Sequence, residues 1–157
     1  MSSVGGADAA IRRAVFEWLS EYRQSGGETV TRKALESFTI GDRHIPLVGP
    51  RGIWKPKVCE LPISITTVVN GPYPDGYDEA TGLLRYSYRG TDQTFVNHID
   101  NVGLRRAMRE RVPLVYFLAV APGSYVAHFP AFVSADDPTS LTFTVRLAEP
   151  VSFGAED

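Results

Sequence analysis

The residues best suited to chemistry lie between Asn70 and Asp92, where the sequence reads NGPYPDGYDEATGLLRYSYRGTD. The aromatic and acidic side chains of this segment are Tyr73, Tyr77, Tyr86 and Tyr88 with Asp75 and Asp78. Aromatic rings stack on a flat heterocycle, and a carboxylate between them accepts hydrogen bonds from an exocyclic amine. The pattern therefore predicts a binding site for a planar ring that carries an amino group.

A second interpretation of the same segment is purely structural. Tyrosines often pack in protein cores, and Pro74-Asp75-Gly76 has the composition of an ordinary turn. In the strand that follows, alternation places Tyr86 and Tyr88 on one face and polar side chains on the other. The polar side chains are Arg85, Ser87 and Arg89. Both interpretations remain open at the level of sequence.

The rest of the chain offers little for catalysis or metal binding. His44, His98 and His128 lie far apart, and none has a second histidine or a cysteine at metal-ligand spacing. The single cysteine, Cys59, follows an apolar residue and is expected to be a small core residue. Nucleophile-elbow, dinucleotide-binding and Walker-type motifs are absent from the sequence. We therefore expect a binding protein with no catalytic residue, no metal and no cofactor.

Charge is segregated along the chain, although the net charge is only -2. Residues 43–59 carry four basic side chains and no acid, and residues 85–133 carry six arginines against three acids. The segment between these two blocks, residues 60–84, carries acids only. Two basic blocks can form a local positive surface of the kind that contacts phosphates. An ordinary surface of mixed charge is the alternative.

A helical lead, residues 7–38, is expected to precede the residues of interest. Apolar side chains from Ile11 to Tyr22 recur at helical spacing, with Asp8 as the candidate N-cap and Gly26-Gly27 as the stop. A shorter helix is predicted from Thr31 to Phe38, after which glycines and prolines exclude further helix.

A β-rich core is expected across residues 45–149. Clusters of β-branched and aromatic residues predict strands at 62–69, 83–89, 113–120, 125–133 and 141–147. A second, basic helix is predicted from Asn101 to Arg111, with its arginines lying mostly away from an apolar face. That face consists of Val102, Leu104, Ala107 and Met108. The pattern indicates an α+β fold built on a curled β-sheet or a small barrel.

The size and composition of the chain indicate one domain spanning residues 1–157, because 157 residues with 43% hydrophobic content can bury a substantial core. Disorder and coiled coil are excluded by the same composition. The apolar runs are far shorter than the roughly 20 residues of a membrane span, and the first residues lack a signal-peptide pattern. We expect a soluble, cytoplasmic protein with no membrane partner.

Several short motifs follow one another between residues 45 and 133. Their order is Gly52-Ile53-Trp54-Lys55-Pro56, a strand through Ser64-Ile65, Gly71-Pro72-Tyr73-Pro74-Asp75, Tyr88-Arg89-Gly90, Asp92-Gln93, Asn97 or Asn101 before Leu104 and Ala107, and Tyr125 to Pro130. This order resembles the SET and RING finger-associated (SRA) domain, which has a PUA-like curled sheet. The chain is also similar to the amino-terminal module of bacterial type IV restriction proteins, which are modification-dependent HNH endonucleases.

The resemblance implies a function in reading modified DNA. SRA domains flip 5-methylcytosine out of the duplex into a pocket. By position, Tyr73 and Tyr88 resemble the two stacking aromatics, and Asp75 resembles the carboxylate that binds the cytosine edge. The HNH nuclease has no counterpart in this sequence. The chain is therefore expected to bind double-stranded modified DNA and to act with a nuclease domain or another effector.

The resemblance also suggests further residues of the site. Possible pocket or insertion residues are Trp54, Tyr86, Arg89, Gln93, Phe95 and His98. The expected phosphate contacts are Arg51, Lys55, Lys57, Arg105 and Arg106. Arg89 departs from the family, which commonly has a small polar residue at this position.

Three alternative functions follow from the same residues. The chain could read another mark, such as 5-hydroxymethylcytosine, a phosphorothioate linkage or a modified RNA base. It could instead be a barrel whose aromatic loop binds a non-nucleic small ligand or a protein. A hydrolase would need a metal or paired carboxylates among Asp75, Asp78 and Glu79.

Overall fold

The computed structural model describes residues 5–68, 76–78 and 80–147. Its first helix, α1 (Gly6–Gly26), buries the apolar face that the periodicity predicts, with Ile11, Val15 and Leu19 in the core. The cap is different from the prediction, because the N-cap is Gly5 and Asp8 lies inside the first turn. The expected stop is confirmed, since the helix ends at Gly26 and Gly27 is its C-cap.

Asp8 and Arg12 form a buried ion pair that attaches α1 to the rest of the fold. Arg12 Nε donates to Asp8 Oδ1 at 2.5 Å, and the side chains are only 3% and 1% exposed. The Arg12 guanidinium also donates to the carbonyls of Leu61, Pro62 and Pro113. Asp8 Oδ2 accepts from the backbone N–H groups of Glu60 and Leu61. Every charge of the pair is thus matched by hydrogen bonds, as a buried ion pair requires.

The other two α-helices are short and end near the predicted positions. Helix α2 (Arg32–Glu36) is capped by Thr31, whose side chain accepts from the Ala34 N–H. Helix α3 (Ile99–Glu110) begins two residues before the predicted start and is capped by His98. Its buried face differs from the predicted one, because Val102 is 39% exposed and Asp100 and Asn101 face inward.

The β-structure of the described residues consists of one mixed sheet of eight strands and a separate two-stranded hairpin. The strands are β1 (Val30–Thr31), β2 (Thr39–Ile40), β3 (Arg43–His44), β4 (Ile53–Trp54), β5 (Ser64–Val68), β6 (Tyr77–Asp78), β7 (Leu83–Ser87), β8 (Leu114–Ala121), β9 (Ser124–Asp137) and β10 (Thr142–Leu147). The sheet order is β4-β5-β8-β9-β10-β7-β6, β1 pairs with β9, and β2 pairs with β3 in the hairpin. All five predicted strands are present, and the α+β prediction is confirmed.

The sheet curls strongly without closing into a barrel in the part of the chain that is described. Strands β5 and β7 are separated in the sheet by β8, β9 and β10. Nevertheless, the Tyr86 hydroxyl on β7 donates to the Thr66 carbonyl on β5 at 3.1 Å. The strand order of the described residues is open at β4 and β6, so the small barrel offered as one alternative is not formed by them, and the arrangement is compatible with a curled sheet.

The sheet separates two groups of buried side chains. The first core cluster lies against α1 and α2 and includes Leu19, Leu35 and Phe117. The second core cluster includes Leu84 and Tyr86 of β7, Tyr88 just after it, and Leu104 of α3. Strand β8 serves both clusters, because its side chains alternate between the two faces of the sheet. Among the described residues, no helix combines the length and apolar character needed to cross a bilayer.

Candidate functional site

A cleft opens between the β4–β5 end of the sheet and strand β7. One wall comes from Gly52, Ile53, Thr66 and Thr67, and the other from residues 85–90. The cleft encloses about 410 Å³, which is within the usual range of small-ligand pockets. Strands β5 and β7 face each other across the cleft but do not pair, because the sheet does not close. The cleft is the space between their backbones.

Tyr86 spans the cleft and fixes its width. The side chain is 8% exposed, and its hydroxyl donates to the Thr66 carbonyl on the opposite wall. Burial raises the pKa of the Tyr86 hydroxyl well above its usual value, so the group stays protonated as a donor. A β-carbon at Gly52 would lie 2.5 Å from this hydroxyl. A glycine is therefore needed at residue 52 for the close approach of the two walls.

Tyr88 also borders the cleft, but its ring and hydroxyl are largely engaged with protein. The residue is 4% exposed, and its ring packs on Phe143 with centroids 4.6 Å apart. Its hydroxyl donates to Asp136 Oδ1 and accepts from Arg105. Burial and the bond to Asp136 raise the pKa of the Tyr88 hydroxyl. The ring offers little free surface, so stacking of a ligand on it requires a local rearrangement.

Arg89 lies on the cleft wall, and its backbone is held by a buried amide. Asn101, which is fully buried, accepts from the Arg89 N–H at 2.8 Å and donates to the Arg89 carbonyl at 3.1 Å. The same amide donates to the Phe95 carbonyl at 2.8 Å. Phe95 packs over Gly90, where a β-carbon would lie 2.0 Å from the ring and φ is +94°. These contacts fix the turn that presents Arg89 and the neighbouring residues.

Arg51 and Arg89 converge on one carboxylate at the start of α3. Arg51 Nε donates to Asp100 Oδ2 at 3.1 Å, and Arg89 Nη1 lies 3.8 Å from the same oxygen. The arginine side chains are 44% and 37% exposed, whereas that of Asp100 is 10% exposed. His98 Nδ1 accepts from the Asp100 N–H at 3.1 Å. This group of residues brings together three of the side chains singled out from the sequence, namely Arg51, Arg89 and His98.

The other basic candidates are engaged to different degrees. Lys57 is exposed. Lys55 Nζ donates to the Cys59 carbonyl at 2.9 Å. Arg105 is 17% exposed and pairs with Asp136 at 2.6 Å, which gives its guanidinium an internal role between α3 and β9. Arg106 pairs with Glu110 at 2.7 Å and also reaches Glu60 at 3.3 Å.

Four of the possible pocket residues, namely Trp54, Gln93, Phe95 and His98, are not among the residues that line the cleft. Trp54 packs against the first core cluster and donates from its indole to the Pro46 carbonyl at 2.9 Å. Gln93 is exposed and donates to the Pro138 carbonyl at 3.0 Å. Phe95 and His98 lie near each other, with ring centroids 6.1 Å apart. A role for any of these four in contacting a ligand is a prediction still to be tested.

The remaining base-pocket candidates, Tyr73 and Asp75, lie outside the described residues. Glu79, a carboxylate of the hydrolase alternative, also lies outside them. The structure resumes at Gly76, whose carbonyl accepts from the Arg85 N–H on the cleft wall at 3.0 Å. Asp78 of the hydrolase alternative is exposed, and its carboxylate accepts from the Ala80 N–H at 2.9 Å, as in an ordinary turn.

Sequence reasoning missed the polar residues that organise the cleft. Thr66 and Thr67 were part of an apolar strand prediction, and Asp100 and Asn101 were polar residues near a helix start. Their roles depend on partners far away in sequence, such as Asp100 with Arg51 and Asn101 with Arg89. The one available signal was the Asn-before-Leu104 motif of the resemblance, which contains Asn101.

Cys59 is buried, as expected, and burial raises the pKa of its thiol to about 11, so the thiolate is scarce at neutral pH. Within residues 5–68, 76–78 and 80–147, no group of three or more histidine, cysteine or acidic side chains is placed to hold a metal ion.

Comparison with known proteins identifies no relative: no protein-family model, no curated protein and no solved structure matches this chain.

Proposed function

We propose that this protein has an SRA-like, PUA-like fold and binds modified double-stranded DNA. The modified base, 5-methylcytosine, is flipped out of the duplex into the cleft between β5 and β7. The observation that carries the proposal is the cleft itself, which encloses about 410 Å³ between tyrosine-bearing and hydroxyl-bearing walls. Arg89 lines it and Arg51 adjoins Gly52 of its wall, and both are half-exposed cations of the kind that contact a nucleic-acid backbone.

Flipping a base costs a few kcal/mol in lost stacking and pairing, which the site must offset. Stacking on an aromatic ring stabilises a base by about 1–3 kcal/mol. In the proposal, Tyr73 stacks on the base, Tyr88 stacks on it after a local rearrangement that frees its ring from Phe143, and Asp75 binds the cytosine edge through hydrogen bonds worth about 1.5–3 kcal/mol. Because burial of one methyl group contributes only about 0.8 kcal/mol, we expect a preference of at most about tenfold for the methylated base.

The proposed protein is the recognition module of a modification-dependent restriction system. Its partner is a nuclease domain or a separate effector. The cleft provides binding, whereas the family that this chain resembles carries its cleavage activity in an HNH nuclease. We propose that it works in the cytoplasm, where a cell's own and foreign DNA are both accessible.

The test of the proposal is fluorescence anisotropy on matched duplexes at two salt concentrations. The duplexes are unmodified or carry one 5-methylcytosine, one 5-hydroxymethylcytosine or one phosphorothioate linkage, and a modified RNA is included. Tighter binding to the 5-methylcytosine duplex, with a steep salt dependence, supports the proposal. Tighter binding to another modified nucleic acid would make that modification the ligand in place of 5-methylcytosine. Absence of nucleic-acid binding at both salt concentrations overturns the proposed function.

A variant pair tests the pocket. We expect Asp75→Ala to weaken binding to the methylated duplex far more than to the unmodified duplex, because its carboxylate serves the flipped base. Lys57→Ala is the matched control, and we expect it to weaken binding to both duplexes equally, because a phosphate contact carries no base information. Equal losses on the two duplexes for the Asp75 variant would remove this residue from the pocket.

A further inference from the structure

We infer that Arg51 and Arg89 form a clamp for a single DNA phosphate at the mouth of the cleft, and that Asp100 positions both guanidinium groups. This inference rests on the proposed function and adds to it the group that holds the backbone next to the flipped nucleotide. Arg89 and Gly52, the neighbour of Arg51, both line the cleft, so the clamp lies at its edge.

The geometry of the carboxylate suits a positioning role. Both arginines reach the same oxygen, Asp100 Oδ2, with Arg51 Nε at 3.1 Å and Arg89 Nη1 at 3.8 Å. A guanidinium has five N–H donors, so these contacts leave donors for a second acceptor. The exposed fractions, 44% for Arg51 and 37% for Arg89, give such an acceptor access from solvent.

The clamp is held on rigid supports. Asp100 lies in the first turn of α3, where the His98 side chain accepts from its N–H. The adjacent residue, Asn101, binds both the N–H and the carbonyl of Arg89. Consecutive residues of one helical turn thus fix the backbone and the side chain of Arg89. Rigid support of this kind lowers the entropic cost of binding.

The charge of the cluster favours an anion as its ligand. Two guanidinium groups against one carboxylate leave a net charge of +1, and the carboxylate is nearly buried while the cations are half-exposed. Guanidinium groups match the oxygens of a phosphate with parallel hydrogen bonds. A backbone phosphate beside the extruded nucleotide supplies this anion at the edge of the cleft.

The test is the salt dependence of binding of the whole chain to the 5-methylcytosine duplex. We expect Arg51→Gln and Arg89→Gln each to weaken binding about tenfold. Each should also reduce the slope of log K against log salt by about 0.9, the value for one phosphate. Because the clamp holds the phosphate only when both guanidinium groups are present, the double variant should show little further change in slope. Lys33→Gln, an exposed charge removal on α2, is the matched control and should leave the clamp intact.

Asp100→Asn separates positioning from charge. The substitution removes one negative charge, so the net charge of the cluster rises by one. If the Asp100 carboxylate only neutralised the arginines, the variant protein would therefore bind DNA more tightly. We expect weaker binding instead, by about three- to tenfold, because the guanidinium groups lose their shared anchor. Tighter binding by this variant overturns the role of Asp100. Thermal melting of each variant verifies that it is folded.

The outcomes distinguish this inference from the proposed function. Unchanged slopes in both arginine variants, with wild-type preference for methylated DNA retained, overturn the clamp alone. Equal binding of methylated and unmodified DNA by the wild type, with reduced slopes in the variants, overturns the methyl reading and keeps the clamp. A slope loss in the double variant equal to the sum of the single losses contradicts a shared phosphate. Absence of DNA binding overturns both.

Discussion

Two arginine–carboxylate clusters in this protein use the same chemistry in opposite environments. In the first, Arg12 and Asp8 are 3% and 1% exposed, and backbone groups of residues 60–62 and of Pro113 complete their hydrogen bonds. In the second, Arg51 and Arg89 share the nearly buried Asp100 but are themselves 44% and 37% exposed. The guanidinium donors of the first cluster bind acceptors within the protein. In the second cluster, guanidinium donors remain accessible to solvent.

The difference shows how burial decides what an ion pair does. A buried pair is costly to desolvate, so it persists only when every donor and acceptor is matched, and loss of one partner leaves a charge without compensation. A half-exposed pair contributes little to stability because water screens it. Its arginines remain able to bind an external anion. The comparison therefore predicts that mutations affect stability at the first cluster and ligand binding at the second.

The largest effect is expected from Arg12→Ala. Removal of the guanidinium leaves the Asp8 carboxylate buried and leaves three backbone carbonyls without a donor. We expect the free energy of unfolding to fall by about 3–5 kcal/mol, measured by urea denaturation. Arg13→Ala, an exposed neighbour, is the control and should change it by less than about 0.5 kcal/mol. If Arg12→Ala does not fold, Asp8→Asn provides a milder variant. A loss below about 1 kcal/mol for either would contradict the comparison.

Asn101→Ala is expected to affect both stability and binding. It removes the partners of the Arg89 N–H and carbonyl and of the Phe95 carbonyl. We expect a loss of about 2–3 kcal/mol in the free energy of unfolding and weaker DNA binding, because Arg89 is no longer fixed. Asn97→Ala, an exposed amide in the preceding loop, is the control. Loss of stability with wild-type DNA affinity would show that the support of Arg89 is irrelevant to the clamp.

The third prediction concerns pH and the buried His128 of β9, whose ring packs on Tyr116 of β8. Burial, with a smaller contribution from Arg23, lowers the pKa of the His128 imidazole from 6.5 to about 4. The unfolded chain therefore binds the proton more readily, so the stabilisation is complete above pH 6.5 and is lost as pH falls toward 4. We expect a loss of about 1.5 kcal/mol between pH 6.5 and pH 5.

Urea denaturation at several pH values tests this linkage. His128→Gln should remove the dependence between pH 6.5 and pH 5. His44→Gln, a substitution at an exposed histidine of β3, should retain it. Persistence of the wild-type slope in the His128 variant would assign the pH dependence to another group.

The smallest change in stability is expected from Arg51→Gln. The Arg51–Asp100 pair is half-exposed, so its loss should change the free energy of unfolding by no more than about 0.5 kcal/mol. Thermal melting measures the change. A loss of several kcal/mol would make the cluster at Asp100 a structural pair like that of Asp8, and would remove the contrast between the two.

The elements were predictable where a buried face is apolar over several turns. Helix α1 follows its hydrophobic periodicity, and Tyr86 of β7 and Tyr88 just after it are buried in the same core cluster, as expected of residues on one face. In α3, apolar periodicity selects Val102 for the buried face, but Val102 is 39% exposed. The prediction is wrong there because two positions of the buried face are polar. Asp100 and Asn101 occupy those positions, and a pattern of apolar residues cannot detect them. Two-residue strands such as β4 are too short to leave a periodic signal.

The site was predictable in its composition but not in its contacts. The tyrosines, Arg51 and Arg89 were singled out from residue types and from the resemblance. Their arrangement depends on pairs distant in sequence, such as Arg51 with Asp100, which no local pattern encodes. The same limit explains Asp8, which resembles a helix cap in sequence but accepts from Glu60 N–H, 52 residues away.

The longest strand, β9, has a consequence for how the molecule unfolds. Its first half contributes Tyr125 and Ala127 to the first core cluster, and its second half contributes Ala131 and Val133 to the second. The change of side accompanies a register shift against β8, because a bulge reverses the side-chain alternation. The strand also pairs with β1, β8 and β10 along its length. Neither cluster can lose β9 alone, so the layer beneath α1 and the cleft-bearing layer form one cooperative unit.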